Sequence, residues 1–383
     1  MGPLAGMKVI EMAGIGPGPM AAMLLADLGA TVLRIDRTVP SGLGRPRPLR
    51  FNLALRGRKA IAVDLKDPKA MAFVLDLIAD ADVLIEGFRP GVMERLGLGP
   101  DVCLGRNAGL VYGRMTGWGQ EGPLSQAAAH DLNYIALTGA LNAIGRRDGP
   151  PTPPLNLVGD FGGGSLYLVF GIMCALFERQ RSGKGQVVDA AIVDGAASLV
   201  TSHFGLHAAG LMRERGCGPT DSGSHFYDNY QCSDGKWVSI GAIEGKFYDE
   251  LLERMGLTHE QLGEQWDEDN WVRAKEIMAA RVKEKTRDEW VALLEGTDVC
   301  FAPVLSFDEA PLHPHARARN AFVEIDGVPQ PAPAPRFSRT QPDTPAPPEA
   351  AGPENVDAAL AGWVSPARVA ELREQGVLQR PTA

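Results

Sequence analysis

Residues 7–13, MKVIEMA, are apolar at most positions and run into the Gly/Pro stretch 14–19, the pattern of a short buried strand closed by a turn. Met20 to Leu28 then carries helical spacing and Thr31 to Asp36 is again a compact apolar strand, which completes a βαβ unit. The helical stretch Pro68 to Ala79 leads into a further strand, Asp82 to Glu86. Alternation of this kind predicts an α/β fold with a doubly wound, Rossmann-like large domain whose ligands lie at the carboxyl ends of the strands. Gly164 to Arg181 reads as a long helix stopped by Ser182-Gly183-Lys184-Gly185, with Gln186 to Ala191 as the next strand. The polar, Gly-rich stretch Arg213 to Ser224 marks a change of texture. Residues 225–325, with a strand at Lys236 to Gly241 and charge-rich helices at Trp271 to Lys285 and Arg287 to Leu294, predict a smaller α+β domain. Prolines crowd residues 327–354, in PQPAPAPRF and TPAPPEAAGP, which favours an extended strap. The expected division is a large domain over 1–200, a linker over 201–224 and a small domain over 225–325.

Length and charge narrow the function. At 383 residues the chain has room for two domains, and 38 Lys plus Arg against 47 Asp plus Glu leave a formal charge of -9, which repels nucleic acid. The five cysteines include no C-x-x-C, so neither a disulfide framework nor a zinc site is expected. The apolar run Leu166 to Phe177 is too short for a bilayer and ends in Glu178-Arg179-Gln180-Arg181, so no membrane span is expected. No targeting signal is read at either end, and Arg380-Pro381-Thr382-Ala383 is not a peroxisomal address; the expectation is a cytoplasmic protein.

The turn Gly14-Ile15-Gly16-Pro17-Gly18-Pro19, with Asp36 near the end of the next strand, is a partial dinucleotide fingerprint. Its third glycine is Pro19, and two prolines remove N–H groups that a pyrophosphate needs. Residues 34–59 point elsewhere: Arg34, Arg37, Arg45, Arg47, Arg50, Arg56, Arg58 and Lys59 stand against Asp36 alone, a local reversal suited to a compact polyphosphate. Arg89 and Arg95 follow the strand ending at Glu86 and form a second phosphate-competent set. His130 sits beside small residues, Ala127 to Ala129, and an imidazole titrates near neutrality. Asp160 precedes Gly162-Gly163-Gly164, whose bare backbone is expected to offer free N–H groups, with that of Asp160, to a substrate oxygen. Taken singly, Asp160 reads equally as a helix cap and His130 as a structural histidine. His313-Pro314-His315 reads as a surface turn, His203 and His207 as core or linker residues, and Met20, Met23 and Met212 as core filling or a pliable apolar surface for an acyl chain.

Ten motifs in one order then point to a family: AGIGPGP at 13–19, LRIDR at 33–37, VDLK at 63–66, EGFRPGVMERLGLGP at 86–100, RMTGWGQEGP at 114–123, HDLNY at 130–134, PPLNLVGDFGGGS at 153–165, GKGQVVDAAIVDG at 183–195, GAIEGKFY at 241–248 and APRFSRT at 334–340. The chain resembles the α-methylacyl-CoA racemase family of the family III CoA-transferase (CaiB/BaiF) superfamily over roughly residues 3–340. The resemblance implies that His130 and Asp160 are the proton-transferring pair and that Glu244 supports the histidine. It also implies coenzyme A contacts at Arg37, Val63, Lys66, Gly87, Phe88, Arg89 and Arg95, and along Ala129, His130, Asp131, Leu132, Asn133 and Tyr134. It implies a homodimer of interlocked chains, with residues 326–383 returning to complete the large domain and Glu244 approaching His130 from the partner.

The superfamily holds two chemistries. In transferases the matching aspartate attacks a thioester as a nucleophile, without a histidine. With His130 opposite Asp160, a two-base site is expected instead, in which one group removes the α-proton of a 2-methylacyl-CoA and the other returns it on the opposite face. Coenzyme A is then part of the substrate and no separate cofactor is required. A third reading, a binding protein that has kept the fold, is disfavoured by the presence of His130, Asp160 and Glu244.

Overall fold

The computed structural model describes residues 2–39, 42 and 44–378; the C-terminal Arg380 to Ala383 lies outside them. By its contacts the chain divides into two compact units: residues through 138 with 155–199 and from 319 onward, and residues 139–154 with 200–318.

The first unit is built on a six-stranded parallel sheet. Its members are β1 (Lys8–Met12), β2 (Thr31–Arg37), β3 (Lys59–Val63), β4 (Val83–Glu86), β5 (Val111–Thr116) and β6 (Val187–Ala191), in the order β3-β2-β1-β4-β5-β6. The order reverses between β1 and β4, which opens a crevice at their carboxyl ends. Strand side chains alternate between two apolar layers. Ile10, Leu33, Leu84 and Tyr112 pack on α2 (Pro68–Ala79) through Phe73 and Leu77, and on C-terminal residues Leu360, Val369 and Leu372. Val9, Val32, Val83 and Val111 face α1 (Pro17–Asp27) through Ala21, Ala22 and Leu25.

Two strands, β3 and β5, lie outside the sequence reading: β3 is an apolar run, KAIAV, that follows directly on the basic segment. β5 carries Gly113 and the buried Arg114, which is paired to Glu86 at 3.0 Å. At Gly113 a Cβ would come within 3.0 Å of Leu168, so the glycine lets a helix lie directly on the sheet.

The loop after β5 leads to α3 (Asp131–Ala136). A π-helix then begins at Leu157, not at the expected Gly164, and runs to Leu166, where α4 (Tyr167–Ser182) continues it to a left-handed Gly183. Phe161 N–H reaches Asn156 O, five residues back, at 3.2 Å. The continuous helix Leu157–Ser182 has 26 residues, and its most apolar 18-residue window has mean hydropathy 1.5, so by length and composition alone it is long and apolar enough to cross a membrane. Leu168, Ile172, Ala175 and Leu176 of α4 are buried in the unit. β6 follows, and then α5 (Ile192–Leu199).

Residues 332–355 contain no helix or strand. This strap is pinned beside β3: Gly57 N–H donates to Ala346 O at 2.9 Å, and Lys59 pairs with Glu349 at 2.5 Å.

The second unit holds a three-stranded antiparallel sheet, β7 (Tyr227–Gln231), β8 (Trp237–Gly241) and β9 (Phe301–Val304), covered by helices that include α6 (Gly245–Met255). Trp271, Trp290, Tyr248 and Leu251 form its core. The segment 139–154 belongs to this unit although it lies between two parts of the first.

Candidate active site

A cavity of about 420 Å³ lies at the carboxyl ends of β1, β4 and β5. Its walls are the turn Gly14–Pro19, the segment Gly87–Pro90, Gly117 and Trp118, and the side chains of His130, Tyr134 and Asp160. His130 and Asp160, separated by thirty positions in sequence, thus face one space.

His130 is the residue before α3, with extended backbone (φ -135, ψ 175). Its N–H donates to Asn133 Oδ1 at 3.1 Å and its carbonyl accepts from Asn133 N–H at 2.8 Å, so the helix start fixes the main chain from which the imidazole projects. Tyr134 donates its hydroxyl to Ala129 O at 2.6 Å and meets Trp118 edge-on at 4.8 Å. Gly117 is required here, because a Cβ would occupy the Tyr134 ring.

Asp160 sits in the first turn of the π-helix, half-buried. Its N–H donates to the buried Asp131 Oδ2 at 2.6 Å. Burial, and then the Asp131 charge, push the Asp160 carboxyl up from 3.8 to about 6, against a hydrogen bond from Asn156 and the attraction of His130. Ser165 holds this turn to its neighbour, donating to Pro17 O at 2.8 Å and Asp160 O at 3.1 Å. Gly16, in the left-handed region at φ 69, brings backbone close to the carboxyl: a Cβ there would lie 3.4 Å from Asp160 Oδ2.

The glycine run does not serve the purpose expected of it. Asp160 N–H is already committed to Asp131. A Cβ at Gly163 would meet Ala196 N at 2.6 Å, and one at Gly164 would meet Ile192 and Pro17, both at 3.1 Å. These glycines let the π-helix press against α5 and the β1–α1 turn; they do not leave a bare surface for substrate.

The basic segment also changes on folding. Arg34 is bidentate to Asp36 (3.0 and 2.7 Å), Arg56 to Asp27 (3.0 and 2.6 Å), Arg58 pairs with Glu11 at 2.5 Å and Lys59 with Glu349. Three of these four acids come from distant sequence, so the local charge count overstated the free cations. Arg37, Arg45, Arg47 and Arg50 are exposed, and Arg37 lies over the Phe88 ring at 5.5 Å.

Of the expected coenzyme A contacts, Gly87, Phe88, Arg89, Ala129, His130 and Tyr134 line the cavity. Phe88 N–H donates to the buried Glu86 at 2.7 Å, which shapes this loop. Arg37, Lys66 and Arg95 are exposed outside the lining, and Val63 buries its side chain, leaving its backbone as the contact it can offer. Leu132 and Asn133 are exposed on α3, whereas Asp131 turns its carboxylate inward to Asp160. Sequence reasoning missed the roles of Asp131 and Asn156 beside Asp160; the adjacent acid in HDLNY and the asparagine four positions before Asp160 were the available signals.

Glu244 belongs to the second unit, exposed at the residue before α6. A cavity of about 650 Å³ in that unit contains Asp228, but Arg146 and Lys275 neutralise it, the latter at 2.6 Å. His313 bonds Glu295 at 2.8 Å. His203 and His207 are exposed on the helix Thr201–Ala208 and are not core residues. Met23 is buried, and Met20 and Met212 are partly so.

Comparison with known proteins gives a consistent picture. The description of CoA-transferase family III matches residues 4–357. The chain is 44% identical over 340 residues to the α-methylacyl-CoA racemase of Mus musculus, covering 88% of this chain and 87% of that protein. It is 42% identical over 336 residues to the α-methylacyl-CoA racemase of Homo sapiens, covering 86% of each. Among solved structures, a CaiB/BaiF family protein from Brucella suis superposes with a TM-score of 0.81 at 26% identity, covering 95% of this chain and 100% of that one.

Proposed function

Because this chain belongs to CoA-transferase family III, we propose that it is an isomerase that interconverts (2R)- and (2S)-2-methylacyl-CoA thioesters by passing the α-proton between His130 and Asp160. One observation carries the reading: an imidazole and a carboxyl raised to about 6 share a single cavity at the sheet's ligand-binding edge. A carboxyl raised toward neutrality is suited to general acid–base work, which is most effective when the group titrates near the working pH.

In one direction neutral His130 takes the α-proton, and the C–H electron pair becomes the enolate C=C bond while the carbonyl π pair moves to oxygen. Protonated Asp160 then gives its proton to the opposite face of the α-carbon, and the carbonyl re-forms. The reverse direction starts with Asp160 ionised and His130 protonated. Since Asp160 N–H is spent on Asp131, the enolate oxygen takes its donors from the first turn of α3. There the N–H groups of Asp131 and Leu132 precede the first turn closure, made onto His130 O by Asn133 at 2.8 Å. Fixed donors of this kind contribute ~3–4 kcal/mol each to such a transition state.

The coenzyme moiety is held by Arg37 with Phe88, by Arg89, Arg95 and Lys66, and by backbone at Val63 and Gly87; it enters as substrate, and no resident cofactor is invoked. The protein works as a homodimer, in keeping with the exposed apolar stripe Leu166, Phe170 and Phe177 on the outer face of the long helix. Support of His130 by Glu244 belongs to that assembly. Asp160 as the nucleophile of a CoA transferase is the competing chemistry, and it would leave His130, which faces the same cavity, without a part in the reaction.

The test starts from one 2-methylacyl-CoA epimer in D2O, with and without a free carboxylic acid. Deuterium at the α-carbon and a racemising pool without acceptor acid are expected, and His130→Ala should lose ~10²–10⁴-fold. CoA transfer without α-exchange, or full epimerisation by His130→Ala, would overturn the assignment.

A further inference from the structure

We propose that Asp131 is a positioning residue, whose buried carboxylate anchors the Asp160 amide and so fixes where the Asp160 carboxyl meets the α-carbon. The inference rests on the racemase reading above and assigns its site a part that sequence resemblance gives to substrate contact. Two independent features of the fold converge on it.

The first is the hydrogen bond itself, Asp160 N–H to Asp131 Oδ2 at 2.6 Å, which joins the first turn of α3 to the first turn of the π-helix. The second is Gly159. A Cβ at this position would overlap the Asp131 carboxylate and lie 3.1 Å from Ile135 Cγ2, so the chain keeps a side-chain-free residue where Asp131 must enter. His130 and Asp131 are adjacent on one helix start, so the same short element presents the imidazole and anchors the opposing carboxyl. A displacement of either group would carry into the spacing of both, and proton transfer is sensitive to such spacing.

The anchor is also a charge. The titratable groups facing Asp160 are Asp131, His130 and Tyr134, all from the start of α3, while the β1–α1 turn offers only the Gly16 backbone and the residue before the π-helix is the uncharged Asn156. Arg89 acts on Tyr134 from the loop after β4. Asp131 is therefore the negative neighbour that favours a proton on Asp160, in the direction of catalysis where Asp160 must deliver one.

The experiment compares D131N, which keeps an oxygen acceptor and removes the charge, with D131A, which removes both. Rates from each epimer are followed from pH 5 to 9. D131N is expected to retain most of kcat and to move the alkaline limb of the Asp160-donating direction to lower pH by about one unit. D131A is expected to lose about 10- to 100-fold in kcat in both directions. Wild-type rates and limbs in both variants, or a rise in KM alone, would return Asp131 to substrate contact and overturn the proposal.

Should D131A fail to fold, the D131N limb decides. A readout free of turnover is the pH dependence of unfolding of D131N against the D131N/D160N double variant, which reports where Asp160 titrates. If the wild-type chain takes up no α-deuterium, the racemase reading falls, while this second measurement still tests whether Asp131 governs Asp160.

Discussion

Asp160 is a carboxyl whose surroundings work against its charge. Burial leads and Asp131 adds to it, while Asn156 and His130 only partly compensate, so the folded chain binds this proton more tightly than the unfolded one. The sign of the linkage follows. The stabilisation that the proton gives is fully present below the ordinary value of 3.8 and is lost as pH rises through about 6. Asp160→Asn carries a neutral amide at every pH, so it should gain on the wild type between pH 4 and 6.5 and hold the gain above that. The gain should be on the order of 1–2 kcal/mol, since partial solvent contact screens the shift. Thermal midpoints of the two proteins measured across pH 4.5–8 check this, and a constant offset would mean that Asp160 titrates like an ordinary aspartate. His130 and Asp160 stood out in the sequence by their local settings, small residues before one and glycines after the other, but each setting also fitted a structural role, and only the family resemblance paired them. The part of Asp131 was not legible, because it acts across 29 positions through a backbone hydrogen bond that no spacing rule reveals.

The Gly162–Gly164 run illustrates how an element can be found while its reason is mistaken. Read along the chain, three glycines mean exposed backbone; folded, they mean close helix contact. A Cβ at Gly163 would come within 2.6 Å of Ala196 N and 3.0 Å of Ile192 O, and both atoms are main chain that cannot rotate away. Gly163→Ala should therefore cost about 1–3 kcal/mol and lower the urea midpoint, and it should reduce activity by tilting the turn that carries Asp160. Gly105→Ala, within the helix Pro100–Arg106 and with nothing within 4 Å of its Cβ, is the control and should be neutral or stabilising by up to about 1 kcal/mol. Equal losses in the two variants would count against a packing role for the run. The same distinction explains the strands. β1, β2, β4 and β6 were readable as compact apolar runs, whereas β5 interrupts its run with a glycine under Leu168 and an arginine whose partner is Glu86 on the neighbouring strand. The basic segment misled for a parallel reason, since Asp27, Glu11 and Glu349 reach Arg56, Arg58 and Lys59 only when the sheet and strap are in place.

The helix Leu157–Ser182 carries both Asp160 and the apolar stripe on which the proposed homodimer rests. One face, Leu168, Ile172, Ala175 and Leu176, is buried against the sheet, and the opposite face leaves Leu166, Phe170 and Phe177 exposed at 54%, 67% and 66%. A helix apolar all round needs cover on both faces, and exposed aromatic side chains at this spacing form a stripe that water solvates poorly. A second copy of the chain meets the requirement without a further partner, which is the homodimer of the proposed function. Since the stripe and Asp160 share one helix, loss of the cover should disturb the site as well as the assembly. Phe170→Glu combined with Phe177→Glu places two charges on the stripe without touching the buried face. Light scattering should find the wild type as a dimer and the double variant as a monomer, with α-proton exchange reduced at least about tenfold and the far-UV spectrum unchanged. A wild-type monomer with full activity would remove the second copy from the mechanism. A wild type that floats with neutral lipid vesicles would assign the stripe to a bilayer surface instead.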